Sequence, residues 1–315
     1  MTSIELIEGV QTPNVKWWQT ENSYGSNSYL VPEGDTLYII ESGLGSLHRA
    51  QLLDAIASFS DVSKVYLLNT HWHLDHSGNG MILEELERRF SQVHYFVPDI
   101  ARHNMVNFME NSPVGVEVDM GLAKAEWLRE GDKEEFHLGD VPFQGWKVEK
   151  AYLLSTPGHT PDSLSIYLKG EKALFTGDAL WFVNPNVDDG SIDLSLQSAA
   201  KLKGLVQAEG ISYLGVGHFS PIEGNKRIID FISDYEEKEK ALVSRLKEVV
   251  DANDGVSVDH CLDMLRQSNH PAIKEALRIN YPYFPSYLHR FIRVFLREKG
   301  WHEVEKGTWS AKQPS

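Results

Sequence analysis

Asn69-Thr70-His71-Trp72-His73-Leu74-Asp75-His76 follows directly on the apolar run Val65-Tyr66-Leu67-Leu68. The run has the length and composition of a buried strand. Three histidines and an aspartate therefore fall within six residues, where a central strand gives way to a loop. His71 and His73 are two apart, and extended backbone turns such side chains to one side, with Trp72 directed into the core. Asp75 and His76 follow where the chain bends and reach the same point from another angle. Neutral imidazole and carboxylate together suit zinc, or another divalent cation such as iron or manganese.

Three further segments repeat this arrangement. Thr156-Pro157-Gly158-His159-Thr160 follows the apolar run Ala151-Tyr152-Leu153-Leu154. Phe175-Thr176-Gly177-Asp178 follows Ala173-Leu174, and Gly215-Val216-Gly217-His218 follows Ile211-Ser212-Tyr213-Leu214. Each sets a metal-ligand side chain at the C-terminal end of an expected strand, beside a glycine that lets backbones crowd together.

The set resembles the metallo-β-lactamase-fold hydrolase superfamily, whose signature His-x-His-x-Asp-His is followed by distant His, Asp and His. The resemblance covers residues 25–225. It implies an α/β fold, the αββα metallo-β-lactamase sandwich, here with a mainly helical C-terminal appendage. It also implies two divalent metal ions, zinc foremost, with His71, His73 and His159 on one, Asp75, His76 and His218 on the other, and Asp178 between them.

Length and composition agree with a globular chain. Its 315 residues suggest one large domain or two ordinary ones. Hydrophobic content of 42% and charged content of 24% allow a sizeable core. Residues 1–225 hold 15 basic and 31 acidic residues, net −16, whereas residues 226–315 hold 15 and 14, net +1. The acid excess sits in the half expected to be catalytic, which argues against a nucleic-acid substrate. The single cysteine, Cys261, excludes an internal disulfide, is compatible with a reducing cytoplasm and reads as a small core residue. No signal peptide or membrane span is expected from the sequence.

The order of elements is that of layered α/β structure. Ser28–Val31 and Thr36–Ile40 read as a hairpin around Pro32-Glu33-Gly34-Asp35, and helical spacing runs from Ser46 to Phe59 and from Met81 to Phe90. Leu122–Leu128 is expected to be helical, Val148–Leu154 a single strand, and Ser195–Gln207 a helix. After His218 the composition changes. A charged helix is expected over 225–251, then helices at 257–267, 272–279 and 286–298, and a hairpin turning at Lys306-Gly307. A catalytic domain over 1–225 and a helical, winged-helix-like domain over 226–315 follow from this reading.

Two cations about 4 Å apart would share a bridging water and lower its pKa toward neutrality, which gives a hydroxide nucleophile. Asp75 would orient that nucleophile and move its proton to the leaving group. Asp162 and Ser163 read as a turn pair before a strand. Trp181, Phe182 and Phe219 adjoin expected ligands and would meet an apolar or aromatic acyl group. Tyr281, Tyr283, Phe284 and Tyr287 serve equally well as packing, and Arg290, Arg293 and Arg297 form a stripe at helical spacing.

Departures from relatives narrow the chemistry. Family β-lactamases lack the bridging Asp present here as Asp178. Flavodiiron relatives carry Glu at the position of His73, and quorum-quenching lactonases carry Tyr at that of Trp181. Glyoxalase II enzymes share all seven ligands and a helical C-terminal domain. The leading expectation is a cytoplasmic dinuclear zinc hydrolase of a small thioester or lactone, with homodimerisation an open partner question. A phosphodiesterase or nuclease, a mononuclear-iron persulfide dioxygenase and a non-catalytic signalling protein are the alternatives.

Overall fold

A computed structural model describes residues 15–19, 26–111, 118–181, 189–280 and 285–311. The first sheet begins with β1 (Lys16–Gln19), β2 (Asn27–Glu33) and β3 (Thr36–Ile40), which pair antiparallel in that order. Helix α1 (Ser46–Ile56) then carries the chain to β4 (Lys64–Leu68), parallel to β3. Short α2 (Leu74–Ser77) and α3 (Ile82–Arg89) lead to β5 (Gln92–Pro98), parallel to β4. After α4 (Arg102–Asn111), β6 (Glu126–Leu128) closes the edge.

Apolar residues on both faces of the central strands explain why this sheet lies inside. Tyr29, Val31, Tyr38, Ile40, Tyr66 and Leu68 form one cluster, while Leu30, Leu37, Ile39, Val65 and Leu67 join another with Leu52, Ile56, Ile82, Leu86 and Met105. Period-two alternation with both sets apolar is the pattern of strands covered on two sides. Helices α1, α3 and α4 therefore cover one face.

The second sheet covers the other. Its strands are β7 (Glu134–Leu138), β8 (Val141–Val148), β9 (Ala151–Ser155), β10 (Leu164–Leu168) and β11 (Ala173–Phe175). Helix α5 (Ile192–Glu209), β12 (Tyr213–Gly215) and β13 (Ile222–Glu223) follow. Spatial order runs from β13 through β12, β11, β10, β9 and β8 to β7, with only β11 and β12 parallel. Trp146, Leu153, Ile166, Phe175 and Tyr213 meet the inner face of the first sheet. The last turns of α5 lie on the outer face: Tyr167 Oη donates to Glu209 Oε2 at 3.2 Å. The architecture is thus an αββα sandwich with a helical C-terminal region.

That region holds α6 (Asn225–Asp251), β14 (Gly255–Ser257), α7 (Val258–Arg266), α8 (Pro271–Asn280), α9 (Pro285–Glu298), β15 (His302–Glu305) and β16 (Thr308–Ser310). The hairpin of β15 and β16 recruits β14 to its other side. Leu242, Leu246, Cys261, Leu265, Phe291 and Phe295 form its core, so Cys261 is a packing residue. The chain divides into two compact units. One takes the described residues of Met1–Ser155 with Asp162–Asp178 and Gly204–Ile228; the other takes those of Thr156–Pro161, Ala179–Lys203 and Ile229–Ser315.

Two local expectations fail for identifiable reasons. Leu122–Leu128 is not a helix. Leu122–Lys124 is a short 3₁₀ turn, and Glu126–Leu128 adds to the exposed edge of β5, which offers unpaired backbone groups. Val148–Leu154 is two strands, not one. They turn back at Glu149-Lys150, where Glu149 takes φ 52° without the Gly or Asn that usually marks such a turn.

Burial predicts where stability lies. Leu67→Ala, fully buried between sheet and helices, should cost about 2–5 kcal/mol in urea unfolding. Leu47→Ala, 62% exposed on α1, should cost less than about 0.5 kcal/mol. Equal losses would contradict the burial pattern.

Candidate metal centre

The side chains that the sequence points to sit just past the ends of β4, β9, β11 and β12. His71 is buried and His73 half-buried; His71 Nε2 and His73 Nδ1 are 2.9 Å apart, with their rings edge-on. Trp72 between them packs partly buried against the helix-covered core, the alternation expected of the motif. Asp75 and His76 lie on α2, where the chain turns.

Among the described residues, three groups of side chains bring possible ligand atoms within 4.8 Å of one another. They are His71, His73, His159 and Asp178; Asp75, His76 and His218; and Glu41, His71 and His76. Asp178 also reaches the second group: its Oδ1 lies 3.4 Å from His76 Nε2 and 3.3 Å from His218 Nε2. Asp75 Oδ2 lies 3.6 Å and 3.3 Å from the same two nitrogens. Two ligands each about 2.1 Å from a tetrahedral cation stand about 3.4 Å apart, so these separations fit donors to a shared divalent ion.

Glycines make the crowding possible. A Cβ on Gly217 would overlap Asp178 Oδ1 and stand 3.0 Å from His76 Cε1. Gly177, at φ 50°, abuts the Thr70 side chain. The backbone ties the strand ends together: Gly217 N donates to Gly177 O at 2.9 Å, and Asn27 N to Gly217 O at 2.6 Å. Asn27 Nδ2 also donates to Val216 O and Phe219 O at 2.8 Å and 2.6 Å, which fixes the loop bearing His218.

Glu41 belongs to this centre, and the sequence alone does not single it out. It ends β3, is 1% exposed, and adopts φ 66°. Its Oε2 accepts from Thr70 N at 3.1 Å, its Oε1 bonds the Thr70 hydroxyl, and His76 Nδ1 stands 3.1 Å from Oε1. It thus stands behind the His76 ring, whose other nitrogen, Nε2, faces Asp75 and Asp178. The available signal is positional: Ile40-Glu41-Ser42-Gly43 repeats the pattern of an apolar strand, a carboxylate and a glycine. Asp162, read as a turn residue, is buried, and its Oδ2 accepts from Trp72 N at 2.9 Å between His71 and His73.

Charge explains the electrostatics. Burial disfavours protonated His76, but the carboxylates of Asp178, Asp75 and Glu41 outweigh burial and hold its pKa well above the ordinary value. Burial opposes ionised Asp178, yet His218 and His76 hold its pKa well below the usual range. A cluster of carboxylates in a buried site calls for positive charge, which divalent cations supply as readily as protons.

Trp181 is half-buried, with its ring 5.5 Å from that of Tyr287 in an edge-on contact. Phe219 is half-buried, and its carbonyl is held by Asn27. Phe182, Tyr281, Tyr283 and Phe284 lie outside the described residues. The Arg290 guanidinium stands over the Tyr287 ring at 5.8 Å, and Arg297 donates to Gly190 O at 2.8 Å.

An αββα sandwich with imidazoles and carboxylates gathered at its strand ends defines a class of proteins equipped to hold divalent cations. The family model described as Metallo-beta-lactamase superfamily matches residues 23–209, and the chain belongs to that superfamily. Similar curated proteins include an atrochrysone carboxyl ACP thioesterase of Claviceps purpurea (strain 20.1). It is 28% identical over 49% of this chain and 39% of its own length. One from Aspergillus fumigatus is 27% identical over 58% and 48%. The match thus spans about half or less of these relatives. Among solved structures, a metallo-beta-lactamase family protein of Thermus thermophilus has TM-score 0.55 at 18% identity, covering 94% of this chain and 98% of its own. The sec-alkylsulfatase Pisa1 from Pseudomonas sp. has TM-score 0.59 at 14% identity, covering 89% and 48%. At such identities they share the fold. Among the described residues, no helix is long and apolar enough to cross a membrane.

His48 gives the site a pH signature. It is buried on α1, its Nε2 is 2.7 Å from Ser28 Oγ, and burial, aided by His76, pushes its pKa down to about 4. The unfolded chain binds a proton at His48 near pH 6.5, whereas the folded chain does not until about pH 4. Stability should therefore fall as pH drops through that window. His48→Gln should flatten this part of the profile in urea unfolding at stepped pH. An unchanged slope would mean that His48 does not titrate in this way.

Proposed function

We propose that the chain is a dinuclear metal-dependent hydrolase acting on a small acyl thioester, with lactones as the related ester substrates. Asp178 carries the reading: it lies within reach of both ligand groups, one with His71, His73 and His159, the other with Asp75, His76 and His218. His71, His73 and His159 would hold one zinc ion, Asp75, His76 and His218 the second, and Asp178 both. When bound, such a pair supplies water activated at neutral pH and an electrophile for the substrate carbonyl.

The chain's own residues supply the rest. Asp75, the more exposed of the two aspartates, offers Oδ2 as the base that takes the proton of the attacking water. That proton passes to the thiolate as the acyl C–S bond breaks, so acid and thiol leave. Glu41 keeps the His76 ring in place through Nδ1, and Asp162 steadies the backbone between His71 and His73. Trp181, Phe182 and Phe219 would meet an apolar or aromatic acyl group. The thioesterase names of the curated relatives favour the thioester over the lactone.

Metal analysis of purified protein, combined with a panel of acyl thioesters, lactones and phosphodiesters, tests this. About two ions per chain and thioester turnover are expected. Asp178→Ala should keep about one ion and lose on the order of 100-fold or more in kcat/KM. A wild-type chain that takes up no divalent ion, or full turnover in the Asp178 variant, would sink the reading.

A further inference from the structure

His159 differs from the other proposed ligands in how its segment is held. Residues 156–161 form no strand or helix, and they group with the C-terminal unit. Two bonds to the carbonyls of this segment come from the start of α5. Ser191 N donates to Gly158 O at 2.8 Å, and Ser198 Oγ donates to Pro157 O at 2.8 Å. A Cβ on Gly158 would stand 2.6 Å from Ser195 Cα, so the segment lies directly against the helix.

The start of α5 is in turn held by the end of α9. Ser191 Oγ donates to Glu298 Oε1 at 2.5 Å and accepts from Leu194 N at 3.2 Å, which caps α5. Arg297 donates to Gly190 O at 2.8 Å. Ile192 is fully packed in the C-terminal core with residues such as Leu246 and Phe295. Two consecutive residues of α9 thus grip two consecutive residues before α5, one of which bonds the peptide next to His159.

We propose that Glu298 and Arg297 are positioning residues for the His159 segment. They act through Ser191 and Gly158 and fix where the imidazole stands before an ion arrives. This rests on the metal reading above only for its consequence, since the positioning itself belongs to the metal-free chain. Glu298 needs only an acceptor oxygen for Ser191, which Gln supplies and Ala does not.

Hydrogen exchange over residues 156–161 in the metal-free protein reads the positioning directly. Glu298→Ala should raise exchange there about tenfold or more, while β4 and β10 amides stay at wild-type rates. Glu298→Gln should return the segment to within about twofold of wild type. Arg297→Met supplies a second variant should Glu298→Ala not fold, with the same expected rise. Cobalt titration of the full chain reads the consequence: the Ala variant should bind its weaker-held ion about tenfold less tightly, with an altered visible spectrum, and Gln should restore both. Unchanged exchange in Glu298→Ala and Arg297→Met overturns the proposal. Raised exchange in a chain that binds no cobalt, even as wild type, supports the positioning and removes the hydrolase reading alone.

Discussion

A carboxylate taken out of water must find positive charge or lose its own. Asp178 and Glu41 are 3% and 1% exposed, and both keep imidazoles close by, His76 touching each. That requirement dictates the geometry at this end of the sandwich. The ends of β3, β4, β11 and β12 must converge tightly enough for His76 and His218 to serve carboxylates from different strands. The parallel pairs β3–β4 and β11–β12 make this natural, because each brings two C-terminal ends out side by side. Crevices beyond such ends are where open α/β sheets bind their ligands.

Close convergence then selects the residues around it. Gly177 and Gly217 stand where a methyl group would overlap Thr70 and Asp178. Thr70, pressed against Gly177, bonds Glu41 with both its amide and its hydroxyl. Ser42 receives no freedom either: its amide donates to His76 O at 2.9 Å, and Asn69 Oδ1 lies 3.1 Å from the same nitrogen. The donor side chains are therefore set by backbone contacts made during folding. An arriving cation meets oriented donors and need not order them, which is the condition for tight binding at low entropic cost.

The strands that build the core were legible because both faces are apolar, as at Leu30-Val31 and Leu37-Tyr38-Ile39-Ile40. The gathering of imidazoles and carboxylates at the strand ends was legible because imidazoles this dense in sequence after an apolar strand have few other physical uses. Glu41 was not, since a single carboxylate after a strand looks like an ordinary strand terminus until its burial is known. Asp162 was hidden for the same reason, its partner Trp72 N being 90 residues away in sequence. The strand over Glu134–Leu138 has only Phe136 and Leu138 to mark a covered face, so its edge position left almost no signal. The turn at Glu149-Lys150 was concealed by residues that give no turn signature, with tertiary pairing of β8 and β9 overriding local preference.

The side chains gathered at this end also differ in what anchors the chain behind each of them. His71, Asp178 and His218 come after strands whose backbone groups are paired on both sides. His159 likewise follows a strand paired on both sides, β9, but the carbonyls of Pro157 and Gly158 before it are bonded by Ser198 of α5 and Ser191 at its start, which the end of α9 holds. Order in this segment is thus tied to α5, whose bonds reach two of its carbonyls in succession, and through α5 to α9. Under the proposed positioning by Glu298 and Arg297, the C-terminal helices act through order in the segment bearing His159, and none of their side chains has to touch a bound ion.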